Sequence, residues 1–61
     1  MNAAETYQQN KLELETELTT LKHKLRLHNT KFHRTGGKSY AAAGDLGYLL
    51  QLLKQANEFL Q

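Results

Sequence analysis

The chain has 61 residues, which is enough for one small domain whose surface stays largely exposed to water. It contains no cysteine and no proline, which excludes disulfides and thiolate metal sites and favours long, uninterrupted helices. The net charge is only +2, no apolar run approaches the roughly 20 residues that cross a bilayer, and the first residues do not resemble a signal peptide. We therefore expect a soluble, cytoplasmic protein.

A first helix is predicted over residues of about 3–33. Its apolar and half-apolar positions recur at alternating steps of three and four, the spacing of a helix-packing stripe. These positions are Ala4, Tyr7, Lys11, Leu14, Leu18, Leu21, Leu25, His28 and Phe32. The pair Gly36-Gly37 then ends the helix, because glycine readily adopts the left-handed conformation of a helix C-cap.

A second helix is predicted over residues of about 40–60, after a turn at about 34–39. Its start is open between two alternatives, since Ser39 could cap a helix from residue 40 and Asp45 could cap a shorter one from residue 46. Gly44 and Gly47 favour the shorter helix, because each costs about 1 kcal/mol inside a helix relative to alanine. The three alanines at 41–43 favour the longer one.

The two helices match in register when the chain folds back near Gly37. Positions whose numbers sum to 74 then lie opposite each other, and each such pair joins two apolar or half-apolar residues. We call these the seam residues: Leu14, Leu18, Leu21, Leu25, His28 and Phe32 on the first helix, and Ala42, Leu46, Leu49, Leu53, Ala56 and Leu60 on the second. The pattern predicts an all-α fold, a single antiparallel two-helix hairpin over 1–61 with the seam residues in a shared core.

Several large apolar residues lie outside the seam. A two-helix hairpin has only one internal face, so these residues would stay in water, and a wide exposed apolar surface usually marks an interface. We expect the hairpin to pair as a homodimer into a four-helix bundle, in a parallel or an antiparallel arrangement. The candidate residues for the dimer or for a protein partner are Tyr48, Leu52, Phe59, Leu12 and Leu27. Residues 1–12 extend beyond the hairpin and have no partner within it.

The predicted architecture resembles the Rop-type helical hairpins, which dimerise into four-helix bundles. No residue motif of that family is matched, so its RNA-binding role is not carried over to this chain. The main prediction is a small, non-enzymatic interaction or regulatory module, a self-associating hairpin that binds a partner protein.

No residue pattern points to catalysis, a cofactor or a metal. The string 35–39, Thr-Gly-Gly-Lys-Ser, is similar to the end of a phosphate-binding loop, but Phe32 stands where that motif needs its first glycine. The three histidines, His23, His28 and His33, recur every five residues, which points successive side chains about 140° apart and prevents them from sharing one ion. We expect no enzyme activity, no cofactor and no metal site.

Charge is the remaining signal in the sequence. The segment from residue 22 to residue 38 holds six cations and no acid, while the rest of the chain sums to −4. A basic surface can bind the phosphate backbone of nucleic acids. The alternative prediction is therefore a nucleic-acid-binding regulator that uses the basic turn end, with contacts from Lys22, Arg26, Lys31, Arg34 and Lys38.

Overall fold

The computed structural model describes residues 2–60 as two α-helices joined by a short turn, with no strand in that range. Helix α1 spans Ala3–Arg34 and helix α2 spans Tyr40–Phe59. The all-helical class is confirmed, and the two-helix arrangement is consistent with the predicted hairpin. Met1 and Gln61, the two ends of the predicted 1–61 domain, lie outside the described residues.

Helix α1 is capped at its start and carries charges that suit its dipole. The Asn2 side chain accepts a hydrogen bond from the backbone N–H of Glu5 at 2.8 Å, which satisfies one of the free amide groups of the first turn. Glu5 lies in that first turn, and Lys31, His33 and Arg34 lie in the last. Acids near the N-terminus and bases near the C-terminus stabilise a helix through its macrodipole.

The turn depends on two glycines in the left-handed region. Gly36 has a φ of 95° and Gly37 a φ of 67°, values that side-chain-bearing residues rarely adopt. The N–H of Gly37 donates to the carbonyl of Phe32 at 2.9 Å, and the N–H of Gly36 donates to the carbonyl of His33 at 3.1 Å. These bonds satisfy carbonyl groups that the end of α1 would otherwise leave free.

Helix α2 begins at the earlier of the two possible starts. The Ser39 hydroxyl oxygen accepts a hydrogen bond from the N–H of Ala42 at 3.1 Å, which is the geometry of a helix N-cap. Asp45 therefore lies inside the helix rather than at its start, together with Gly44 and Gly47. The run of three alanines outweighs the two glycines because alanine is the strongest helix former.

The prediction that the seam residues form a shared buried core is wrong. None of residues 2–60 is buried, although five seam residues are half-buried: Leu21, His28, Phe32, Ala42 and Leu49. The reason is geometric, since two isolated helices meet along a single line and every seam side chain keeps one side in water. The predicted pairs nevertheless lie on the same side of the hairpin, since Leu21, Leu25, Leu46 and Leu49 line one shallow hollow and Leu14 and Leu60 line another.

The molecule is an elongated rod. Its Cα atoms extend over 51 × 21 × 13 Å, and the long dimension matches the length of α1 at about 1.5 Å per residue. No helix in the described part of the chain is long and apolar enough to cross a membrane.

Candidate self-association surface

In the middle of the hairpin and near its turn, the seam residues form two rows that differ in their exposure to solvent. The inner row comprises Leu21, His28, Ala42 and Leu49, all of them half-buried between the helices. Phe32, next to the turn, is half-buried as well, although it lies on the same stripe of α1 as Leu18 and Leu25. The outer row comprises Leu18, Leu25, Leu46 and Leu53, and each of these leucines is at least 40% exposed. On a helical wheel the two rows are adjacent stripes, so α1 and α2 meet through the inner row. The outer row forms a continuous apolar stripe that faces solvent.

Polar residues on α1 flank the seam on two sides. The near flank, beside the inner row, comprises Asn10, Glu17, Lys24 and Lys31. The far flank, beside the outer row, comprises Gln8, Glu15, Lys22 and Asn29.

The near flank is the side of α1 that faces α2. Lys24 lines a hollow together with Asp45 and Leu49, and Lys31 lines another with Asp45. The far flank lies beside the open outer row, although Glu15 also reaches the rim of a hollow where α2 ends at Leu60. The free surface of the hairpin is therefore an apolar stripe bordered on α1 by one acid and one base.

His28 and Asp45 form a contact between the helices that was not predicted from the sequence. Nε2 of His28 lies 3.6 Å from Oδ2 of Asp45, and 31% of the histidine side chain is exposed. The contact could have been predicted from the register of the two helices. Asp45 directly precedes Leu46, the seam residue that lies opposite His28. The contact joins the two helices near the turn, and its contribution to stability is small because 75% of the Asp45 side chain is exposed to solvent.

The N-terminal arm, residues 3–13, extends beyond the end of α2. Tyr7 is its largest apolar side chain, and it lines a hollow with Leu14 and Leu60 while remaining 68% exposed. The position of Leu60 beside this hollow was not predicted for the arm. It still leaves most of Tyr7 open to a further partner.

The residues predicted for a dimer or partner interface are all exposed but do not form one surface. Tyr48, Leu52 and Phe59 form a stripe on α2, which we call the second stripe, and Phe59 is 85% exposed. Leu12 and Leu27 lie on the side of α1 that faces away from the seam, as their helical positions require. The exposure of the outer row was not predicted, because helical periodicity places every seam residue in one shared core.

The basic residues do not line up on one face. Lys22 and Lys31 lie on opposite flanks of the seam. Arg26 and Arg34 lie on the side of α1 that faces away from the seam, and Lys38 lies in the turn. Cations surround the turn end without forming a continuous stripe. This arrangement offers electrostatic attraction for phosphate but no groove that tracks a nucleic-acid backbone.

Within residues 2–60 no group of three or more His, Cys, Asp or Glu side chains is placed to hold a metal ion. The surface hollows are shallow and are lined mainly by seam leucines or by turn residues. No family model, curated protein or solved structure matches this chain significantly. The outer row therefore stands as the candidate functional surface on its geometry alone.

Proposed function

We propose that this chain is a non-enzymatic interaction module that self-associates, two hairpins pairing through their outer rows into a helical bundle. The observation that supports self-association is the large solvent-accessible surface area of the single chain. The chain exposes 5797 Å², whereas a compact monomer of its 7.0 kDa mass exposes about 4,000 Å². The excess of about 1,800 Å² is more than the roughly 800 Å² that each partner buries in a standard protein interface.

A second copy suits this surface because the outer row is a leucine stripe at helix-packing spacing. Leu18, Leu25, Leu46 and Leu53 would pack against the corresponding apolar side of a second hairpin. Burial of apolar area is the main favourable contribution to such an association, and the leucines of the outer row supply it. The proposed dimer thus provides the core that a single hairpin lacks.

Sedimentation equilibrium tests the proposal directly. At about 100 μM chain, a dimer with micromolar affinity is largely formed, and the measured mass should be twice the 7.0 kDa of the chain. A monomer at this concentration would disprove self-association.

A pair of matched leucine substitutions locates the interface. Leu25→Ala removes an outer-row side chain that is 40% exposed in the hairpin, and we expect it to weaken dimerisation and lower stability by about 2 kcal/mol or more. Leu12→Ala makes the same chemical change on the opposite side of α1, where the side chain is 64% exposed. It should change stability by no more than about 0.5 kcal/mol. Equal effects of the two substitutions would place the interface elsewhere.

We also propose a protein partner, and the second stripe is the surface that supports it. Leu52 and Phe59 lie beside the inner row on α2, so pairing through the outer row leaves them exposed. A Leu52→Gln, Phe59→Gln variant should dimerise normally and lose partners that bind this stripe. Proteins that the native and variant dimers retain equally bind somewhere else.

Nucleic-acid binding is the alternative proposal, supported by the six cations between residues 22 and 38. Such binding would be sequence-tolerant and would fall steeply with salt, because it depends on counterion release. Replacing Arg34 and Lys38 with glutamine should weaken it and flatten its salt dependence. Unchanged binding after that replacement would rule out the turn end as the contact.

A further inference from the structure

We propose that the second copy packs antiparallel to the first, with α1 lying against α1 of the other protomer and each turn end covering the other protomer's open end. This inference rests on the proposed self-association and specifies its geometry. Two symmetric arrangements present the outer rows to each other. In the antiparallel one α1 neighbours α1, and in the parallel one α1 neighbours α2 of the other copy.

The far flank distinguishes these arrangements, because it borders the outer row and therefore meets the second copy. Along α1 the far flank reads Gln8, Glu15, Lys22, Asn29, at intervals of one heptad. In the antiparallel register that overlays α1 on itself from end to end, residue 3 lies opposite residue 34, and positions whose numbers sum to 37 come opposite each other. Glu15 then faces Lys22 of the other protomer, and by symmetry the same pair forms a second time. Gln8 faces Asn29, so each member of the flank meets a complementary group.

The parallel arrangement gives no such complementarity. It places the far flank of α1 against the corresponding flank of α2, whose residues are Ala43, Leu50 and Asn57. Lys22 would then lie beside Leu50 and lose hydration without gaining an ionic partner, which is unfavourable. The antiparallel arrangement alone pairs every charge on this flank.

The overall charge distribution favours the same geometry. The turn end carries six cations and one nearby acid, Asp45, whereas the open end carries five acids and two lysines. Parallel pairing brings the two basic ends together, and antiparallel pairing lays a basic end on an acidic end. Opposite potentials across an interface favour association, and like potentials oppose it.

The antiparallel register also covers the N-terminal arm. Helix α1 runs from residue 3 to residue 34, so the sum of 37 overlays the helix on itself from end to end. Tyr7 then lies at the level of residue 30 of the other protomer, close to Phe32, the last seam residue of α1. The arm that has almost no partner within its own hairpin acquires one.

Site-specific crosslinking tests the geometry, because the chain has no cysteine of its own. Gln8→Cys and Asn29→Cys chains are mixed and treated with a short bis-maleimide. We expect a crosslinked heterodimer of twice 7.0 kDa from the mixture and no crosslinked dimer from either variant alone. Within one α1 these positions are 21 residues apart, about 31 Å, so a parallel dimer cannot place them within reach of each other.

The matched control uses the near flank. Asn10→Cys and Lys31→Cys are also 21 residues apart, but they lie on the flank of α1 away from the proposed interface, and their mixture should not crosslink. Crosslinking of both mixtures alike, or of neither, in a protein that sediments as a dimer would overturn the antiparallel arrangement. A protein that sediments as a monomer would instead overturn the proposed self-association itself.

Charge exchange provides a second, equilibrium test. Glu15→Lys and Lys22→Glu should each weaken homodimerisation about tenfold at low salt, since each creates two like-charge pairs. Mixing the two variants should restore native affinity, because in the mixed dimer the introduced lysine of one chain faces the introduced glutamate of the other. Glu17→Lys and Lys24→Glu repeat the charges and spacing on the near flank and should show no preference for mixed dimers. A mixed-dimer preference on the near flank instead would place the wrong side of α1 at the interface.

Discussion

Single residues decide how the chain turns. Gly36 and Gly37 both have positive φ values, and a Cβ at Gly37 would also lie 3.6 Å from the ring of Phe32. The sequence identified this turn because two adjacent glycines between helical patterns rarely have another explanation. The backbone conformation, more than the nearby ring, makes glycine necessary there.

Glycine substitutions should therefore have opposite effects at two positions. Gly37→Ala should destabilise the protein by about 1–2 kcal/mol, because alanine is strained in the left-handed region. Gly44→Ala should stabilise it by up to about 1 kcal/mol, because Gly44 is inside α2 and nothing lies within 4 Å of the added methyl group. Urea denaturation at fixed protein concentration measures both, and the same sign for the two changes would contradict this account.

At the level of the helices, the sequence predicted most of what the structure contains. Helical periodicity and the glycine pair predicted the two helices and the turn between them, while the start of the second helix stayed open between residues 40 and 46. The burial of the seam could not be inferred in the same way, because periodicity shows which residues share a side and not how much of that side a neighbour covers. Periodicity therefore predicted that the outer row is buried in a core, whereas in the structure it is exposed to solvent.

The start of α2 can be checked by removing each of its two possible caps. Ser39→Ala should destabilise the protein by about 1 kcal/mol, since its hydroxyl accepts the N–H of Ala42. Asp45→Ala should show no comparable capping loss, because Asp45 lies within the helix, and its effect should be limited to the exposed contact with His28. The control substitutions Ser39→Asp and Ser39→Thr should preserve the cap, because both side chains keep an oxygen that accepts the same N–H. A larger loss for Asp45→Ala than for Ser39→Ala would indicate a helix that begins near residue 46.

For the whole molecule, folding and association should be one process. Residues 2–60 contain no buried side chain, so a separate hairpin has little to hold its helices together. We expect the melting temperature to rise with protein concentration, as it does when only the folded state associates. Circular dichroism between about 5 and 500 μM chain measures this shift. A melting temperature independent of concentration would show that the hairpin is stable without a second copy.

The length of α1 has a consequence for the shape of the assembled particle. This single helix sets the 51 Å long dimension of the hairpin. A second copy whose α1 overlaps it from end to end doubles the mass and thickens the rod without extending it. Small-angle scattering should then show a doubled forward intensity at a nearly constant maximum dimension. The frictional ratio should fall on assembly, so that the dimer is the rounder of the two species.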